Sequence, residues 1–263
     1  SISPKSYNNK YGVPISLFNL DQRDDFGVLE VGMDKKGEID HLSKIINPNT
    51  SVITNINYAH AKNFKNINQI ALAKSEIINN TKNNGHLILN ADDNFFTFHK
   101  KLAYKRGLKL ISFGIKNKKA TISLINIKKE GKRFRLNIMF NKKKKYFWTT
   151  NNFQNNTYNI LASLAVISIY FDIFKLSKKL FFDFKIPEGR GDISKIRIKN
   201  KSLNLIDESY NSNPLSFKFA LEKFDTTYKE NNKKFILIGN MLELGKHSRK
   251  LHIKIAKYIN KAK

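Results

Sequence analysis

Two kinds of segment alternate along most of this chain, and their order constrains the fold more than any other feature. Short apolar segments that end in polar residues are each followed by a stretch with apolar residues at helical spacing. This order is typical of βα units, which build a parallel sheet covered by helices. The predicted strands are 26–31, 51–56, 86–89 and 108–113, and the predicted helices between them include 38–46 and 67–79.

Between residues 120 and 149 the pattern changes to an alternation of apolar and polar residues. A turn at Glu130-Gly131 separates the first two alternating segments, which predicts antiparallel strands joined in a meander. The apolar stretch 157–170 contains small residues and is expected to form a helix that packs closely on a sheet. The sequence therefore predicts the α/β class, with a mostly parallel central sheet and an antiparallel meander.

A proline and two glycines in 186–191 predict a domain boundary. After it we expect two strands and two helices, at 202–206, 235–238, 214–228 and 248–260. Two strands are too few to close a doubly wound sheet, so the chain is expected to be cut at its C-terminus. We predict one domain over residues 1–187 and a second, truncated Rossmann-like α/β domain over 188–263.

The formal net charge of +27 at pH 7 has two interpretations. Clustered Lys and Arg side chains favour nucleic acid or an anionic membrane. The abundance of Lys, Asn, Ile and Phe along the whole chain instead indicates an A/T-rich genome, which is the interpretation we favour. The dense basic run Lys142–Lys145 is expected to be a solvated hairpin, and no aromatic-rich nucleic-acid-binding motif is evident on a strand.

Several classes of protein are excluded by what the sequence lacks. Without cysteine there is no disulfide, thiolate catalyst or zinc-thiolate site. No apolar run approaches the length of about 20 residues that spans a bilayer, and residues 1–9 do not resemble a secretory signal. We therefore expect a cytoplasmic protein with no membrane insertion.

Three polar residues lie at or near the ends of predicted strands, where open α/β sheets bind ligands. Glu30 lies in an apolar run, His60 follows the second predicted strand, and Lys74 lies in the next helix. Each has an ordinary structural alternative, namely a strand-end carboxylate, a helix-capping imidazole and an exposed helical cation. A carboxylate and an imidazole on adjacent strand ends also suit Mg²⁺, which takes one or two protein ligands beside water and phosphate oxygens.

The order and spacing of several motifs resemble the Mur ligase family. The closest similarity is to the member that adds D-alanyl-D-alanine to UDP-N-acetylmuramoyl-tripeptide in peptidoglycan precursor synthesis. The resemblance covers the whole chain and rests on segments 7–14, 29–32, 54–60, 73–77, Asp207-Glu-Ser-Tyr-Asn-Ser-Asn-Pro214 and Gly239-Asn-Met-Leu-Glu-Leu-Gly245.

This resemblance implies an ATP-dependent ligase that uses Mg²⁺ and forms a C–N bond through an acyl phosphate. Glu30, His60 and a carbamoylated Lys74 would be catalytic and would hold the metal ion. The implied ATP-binding residues are Asn159, Arg190, Asp207 and Glu208, and the implied substrate-binding residues are Asn8, Asn9, Tyr210, Asn211 and Asn213. The substrates would be UDP-N-acetylmuramoyl-tripeptide and D-Ala-D-Ala, with no specific nucleic acid, and the protein would be a monomer.

The ordinary alternatives for these residues remain open at this point. Asn159 can cap its helix, Arg190 can be a solvated loop charge, and Asn211 and Asn213 can be turn formers before Pro214.

The sequence has no Gly-x-x-Gly-Lys-Thr phosphate loop, which in the family immediately precedes the segment that opens here. We therefore expect a fragment that also lacks the N-terminal domain and is inactive alone. Alternative functions are another Mur ligase, a folylpolyglutamate synthetase-like ligase or, from a different class, a basic nucleic-acid-binding protein.

Overall fold

The structure is a computed structural model that describes residues 1–4, 6–59, 61–131, 133–150, 154–184, 187–199, 201–227 and 233–260. The chain forms two compact units. The first comprises residues 1–56 and 63–182, and the second comprises residues 57–62 and 183–263. Among the described residues, no helix combines the length and the apolar character needed to span a bilayer.

A six-stranded sheet forms the centre of the first unit. Its strands follow one another in space as in sequence, and they are β1 (Thr50–Ile53), β2 (His86–Asn90), β3 (Lys109–Gly114), β4 (Ile122–Glu130), β5 (Arg133–Phe140) and β6 (Lys143–Thr149). Strands β1 to β4 pair in parallel, and β4 to β6 pair antiparallel. The predicted parallel sheet with its antiparallel meander is confirmed. The run Lys142–Lys145 enters β6 from the β5–β6 hairpin, as expected.

Five helices accompany this sheet in the described part of the first unit: α1 (Gly12–Phe18), α2 (Glu38–Ile46), α3 (Ile67–Asn80), α4 (Phe96–Lys105) and α5 (Gln154–Tyr170). Helices α2 and α3 match their predictions within one residue, whereas α1 and α4 were not predicted. The core packs α5 against the sheet, and Phe113, Phe147 and Leu161 are fully buried there. Small residues such as Ala165 allow α5 to approach closely. Burying each large apolar side chain contributes about 1.5–3 kcal/mol.

The predicted strand 26–31 is wrong. Val28 makes only an isolated parallel bridge with Ile2, and 60% of the Val28 surface is exposed. A strand requires a neighbour over several residues, and among the described residues Ile2 is the one that bridges to this segment. The predicted strand 51–56 also ends early, at Ile53.

The second unit contains a two-stranded antiparallel sheet of β7 (Asp192–Ile198) and β8 (Lys201–Asp207), followed by α6 (Pro214–Thr227) and α7 (Ser248–Ile259). Its apolar cluster joins α7 to Met241 and Leu244. The predicted strand 235–238 is wrong, because no described strand pairs with it and 85% of the Phe235 surface is exposed. Strand β7 was not predicted.

Glu76 on α3 fixes the start of α2. Its two carboxylate oxygens accept the backbone N–H groups of Gly37 at 3.0 and 3.1 Å, and one of them also accepts that of Asp40 at 3.1 Å. These N–H groups have no partner within α2, and the positive end of the helix favours a carboxylate. Asn80 donates to Asp40 and Ser43 from the same helix. Helix α3 therefore holds α2 by polar contacts as well as by packing.

Replacing Glu76 by Ala is expected to lower the free energy of unfolding by about 1–2 kcal/mol, because the α2 N–H groups lose their acceptor. Glu76→Gln keeps one acceptor oxygen and should cost less. The matched control is Glu222→Ala, which removes a solvent-exposed pair with Lys218 and should cost only a few tenths of a kcal/mol. Urea denaturation measures all three, and equal losses for both alanine variants would refute the capping role.

Candidate functional site

Asn8 fixes the segment that carries Glu30. The Asn8 side-chain amide donates to Glu30 Oε1 at 2.9 Å, and the Asn8 carbonyl accepts the Gly32 N–H at 2.7 Å. A side chain at Gly32 would come within about 3 Å of the Asn8 amide, so the glycine permits this close approach. Asn9 has a different position, because its Oδ1 accepts the Tyr11 and Gly12 N–H groups at the start of α1. Glu30 itself is exposed to solvent.

Lys74 lies within electrostatic range of Glu30. Its Nζ donates to the Asn55 carbonyl at 3.2 Å, just beyond the end of β1. Burial lowers the pKa of Lys74 below its ordinary value, while the negative charges of Asp93 and Glu30 act in the opposite direction. The structure therefore places two of the three predicted metal and catalytic residues, Glu30 and Lys74, within electrostatic range of each other. The Lys74 amine loses its proton more readily than that of a solvated lysine.

Asp93 also belongs to this group, although it was not among the predicted site residues. Its Oδ2 accepts the Ile56 N–H at 2.8 Å, and its Oδ1 accepts the Phe95 N–H at 2.8 Å. The first bond holds the backbone that presents the Asn55 carbonyl to Lys74. A signal was available in the sequence, because Asp93 follows the predicted strand 86–89 and polar residues after such strands were the criterion used for Glu30 and His60.

His60, the third predicted residue, lies outside the described residues. Its described neighbours pack within the second unit, where the Lys62 N–H donates to the Glu243 carbonyl at 2.8 Å. Gly245 of the same motif has φ of +51°, and a side chain there would approach Lys62 Cα within 2.7 Å. No three His, Asp or Glu side chains of the described residues lie close enough together to hold a metal ion.

Arg190 and Tyr210 come together in the second unit. The Arg190 guanidinium lies 4.3 Å from the centre of the Tyr210 ring, a favourable cation–π distance. Two backbone bonds hold the loops in place, from the Gly191 N–H to the Asp207 carbonyl at 2.6 Å and from the Tyr210 N–H to the Gly189 carbonyl at 3.1 Å. Arg190 and Asp207 are two of the predicted ATP-binding residues. Their loops thus meet beside Tyr210, a predicted substrate-binding residue.

Gly189 is required for this arrangement, because its φ is +69° and a side chain would come within 2.9 Å of Tyr210. Hydrogen bonds from the Ser209 side chain and backbone hold the pKa of Asp207 below its ordinary value, so the carboxylate is ionised at neutral pH. Glu208 is half-buried.

Asn213 is engaged in helix capping. Its Oδ1 accepts the Leu215 and Ser216 N–H groups at 3.0 Å each and starts α6, which agrees with the turn-forming alternative. The same oxygen accepts from the Asn57 side chain at 3.3 Å within the second unit. Asn211 is exposed.

Asn159 is exposed and does not cap its helix. Helix α5 begins at Gln154, so Asn159 lies in the second turn, and the capping alternative for it is wrong. The neighbouring Tyr158 hydroxyl donates to Asp92 Oδ2 at 2.9 Å. Asp92 also accepts the backbone N–H groups of Ile115, Lys116 and Asn117 at 2.6–2.9 Å.

Asp92 therefore joins the loop after β3 to the first part of α5. Burial alone would raise its pKa, but the three N–H groups and the Tyr158 hydroxyl together outweigh burial and lower it. Burial, and after it the hydrogen bond to ionised Asp92, raise the pKa of Tyr158 in turn. These contacts fix the rotation of α5 and with it the position of Asn159.

Replacing Asp92 by Asn is expected to lower the free energy of unfolding at pH 7 by roughly 1–3 kcal/mol, because hydrogen bonds to a charged acceptor are lost. The folded-state pKa of Asp92 is lowered, so its contribution is complete at neutral pH and disappears as the pH falls through that lowered pKa. Urea denaturation between pH 7 and about 3 should show wild type and variant converging in acid. An exposed control, Asp25→Asn, should change little at either pH, and a constant difference for Asp92→Asn would contradict the argument.

Comparison with known proteins gives a consistent result. Residues 2–167 match the family model of the Mur ligase middle domain. A relative from Rickettsia prowazekii, named UDP-N-acetylmuramoyl-tripeptide–D-alanyl-D-alanine ligase, is 34% identical over 259 residues, which are 97% of this chain and 55% of the relative. A relative of the same name from Bacillus subtilis is 31% identical and covers 91% of this chain and 50% of its own length.

Solved structures agree. MurF from Acinetobacter baumannii superposes with a TM-score of 0.84 at 25% identity, over 97% of this chain and 53% of that one. MurF from Thermotoga maritima in complex with ADP gives a TM-score of 0.81 at 25% identity, over 99% of this chain and 58% of that one. The chain spans about half the length of the proteins it matches.

Proposed function

This chain belongs to the Mur ligase family, and from that premise we propose that it carries part of the active site of an ATP-dependent ligase that adds D-Ala-D-Ala to UDP-N-acetylmuramoyl-tripeptide. The observation that carries the proposal is that Glu30, held by Asn8, and Lys74, held by the Asn55 carbonyl, lie within electrostatic range in the region that matches the family's middle domain. The names of the relatives support the choice of substrates. Residues 1–187 would form the central domain and residues 188–263 part of the C-terminal domain, in a monomeric cytoplasmic enzyme.

In the proposed reaction, the terminal carboxylate of the tripeptide attacks the γ-phosphorus of ATP and ADP leaves. The amine of D-Ala-D-Ala then attacks the carbonyl carbon of the acyl phosphate, and phosphate leaves as the C–N bond forms. The protein's part in such chemistry is positioning and the stabilisation of charge that develops on phosphate oxygens. Arg190 suits this role, because its guanidinium is permanently charged and is already oriented by Tyr210.

The remaining ATP-binding roles fall to Asn159 in the first unit and to Asp207 and Glu208 in the second. Asn159 has a fixed backbone and an exposed side chain, as a ligand contact requires. The ionised Asp207 is a suitable acceptor for ribose hydroxyl groups. Asn8, Asn9, Tyr210, Asn211 and Asn213 are the proposed substrate contacts, and for Asn213 a contact would come in addition to its capping role.

The residues present are compatible with Mg²⁺, since Glu30 offers an exposed carboxylate whose Oε1 is oriented by Asn8. We propose that Glu30 and His60 hold the ion, which when bound would neutralise charge on the ATP phosphates. A positively charged Lys74 beside Glu30 would oppose a cation. Carbamoylation removes this conflict, because the neutral amine adds CO₂, releases a proton and leaves an anionic carbamate. The lowered pKa of Lys74 increases the neutral fraction that can react.

The carbamate is expected to be detectable directly. Addition of ¹³C-labelled bicarbonate to residues 1–263 should produce a carbamate carbon resonance that Lys74→Arg abolishes, because a guanidinium does not lose its proton near neutral pH. Lys82→Arg, at the opposite end of the sheet, is the matched control and should retain the resonance. A spectrum that is the same with and without Lys74 would show that Lys74 is not modified.

The ligase activity is best tested in a hybrid protein, in which residues 1–263 replace the matching part of the Rickettsia prowazekii relative. Mass spectrometry should detect the D-Ala-D-Ala adduct of UDP-N-acetylmuramoyl-tripeptide, with release of phosphate. Glu30→Gln should lower kcat by about 100-fold or more, whereas the exposed control Glu222→Gln should not change it. A folded hybrid that binds ATP but forms no adduct would overturn the proposed function.

A further inference from the structure

The outer face of the meander carries an unusual set of side chains. Leu136, Ile138 and Phe147 point into the core, so the residues that alternate with them lie on the opposite face. The strand register places Arg135 beside Trp148 and also beside Lys128 of β4. We call this surface the meander face, and its charged and aromatic residues are Lys128, Glu130, Arg133, Arg135, Lys144, Tyr146 and Trp148.

The meander face has a large excess of positive charge. Its four cations face one acid, Glu130, which lies 3.6 Å from the Arg135 guanidinium. That ratio of four to one exceeds the ratio of 48 basic to 21 acidic residues in the whole chain. Lys128, Arg133 and Lys144 are exposed to solvent. A polyanion would neutralise these cations, and release of its counterions would favour binding.

Aromatic rings hold these cations in position. The Arg135 guanidinium lies 4.2 Å and Lys178 Nζ lies 4.6 Å from the centre of the Tyr146 ring. The Tyr146 and Trp148 rings meet edge to face at 5.7 Å. Charged groups stacked on a flat sheet beside aromatic rings can contact phosphates and exposed bases together. No such aromatic motif is evident in the sequence, because Tyr146 and Trp148 acquire their arginine only through strand pairing.

We propose that the meander face binds single-stranded nucleic acid without sequence preference, independently of the ligase site. Single strands fit better than a duplex, because their unstacked bases can reach Trp148 and the Arg135 plane. They also fit better than an anionic membrane, because the exposed side chains of the face that are named above are charged groups rather than apolar anchors.

The test uses Trp148, which is the only tryptophan of the chain. An oligouridylate of about 12 nucleotides should change its fluorescence saturably. Four phosphate contacts predict that log Kd rises with log salt concentration at a slope of roughly 3. Duplex DNA of the same length should bind more weakly, and phosphatidylglycerol vesicles should leave the fluorescence unchanged.

Two double variants of equal charge localise the binding. Lys128→Glu with Lys144→Glu changes the meander face, and Lys250→Glu with Lys254→Glu changes exposed positions on α7. The first pair should weaken oligouridylate binding by at least about tenfold at about 0.1 M salt, and the second by less than about twofold.

Equal losses for the two double variants would attribute binding to net charge and overturn the proposal. It would also be overturned if Trp148 responded to vesicles but not to RNA, or if RNA bound without changing Trp148 fluorescence. Circular dichroism of both double variants checks that each one is folded.

Discussion

Parallel pairing of β1 with β2 is the constraint on which the candidate site depends. It brings the ends of both strands to the same edge of the sheet, so that Asp93, after β2, can accept the Ile56 N–H after β1. That bond holds the Asn55 carbonyl to which Lys74 donates. Lys74 then lies within the electrostatic field of Glu30. The position of the site therefore depends first on the order and direction of the strands, and only then on individual side chains.

The spacing of apolar residues predicted correctly those elements that bury one continuous face. Helices α2 and α3 were predicted within a residue, because their apolar stripes are continuous in sequence. The predicted strands 26–31 and 235–238 failed for one physical reason, since a strand is stable only beside a partner and apolar residues alone do not specify one. Helices α1 and α4 were not predicted. Helix α1 has only seven residues, and 88% of the Phe18 surface at its end is exposed, so it has no continuous apolar face.

Glu30 and Lys74 were selected by residue type near predicted strand ends, yet Glu30 lies outside the described strands and Lys74 lies on α3. Their roles in the site stay a prediction. The roles of Asn9 and Asn213 in starting helices were not distinguishable from ligand contacts, because the same oxygen serves either purpose. The stacking of Arg190 on Tyr210 joins residues 20 positions apart through two loops, and only the backbone bonds of Gly189 and Gly191 bring them together. Such contacts depend on three-dimensional proximity, which no local pattern encodes.

Helix α3 makes two attachments within a single turn, since Lys74 donates to the Asn55 carbonyl while Glu76, two residues later, accepts N–H groups at the start of α2. A shift of one residue along this helix rotates every side chain by about 100°. Such a shift would break both attachments at once. The two contacts thus fix the rotation and the register of α3. Insertions or deletions between Ile67 and Glu76 should therefore be tolerated far less than substitutions on its solvent side.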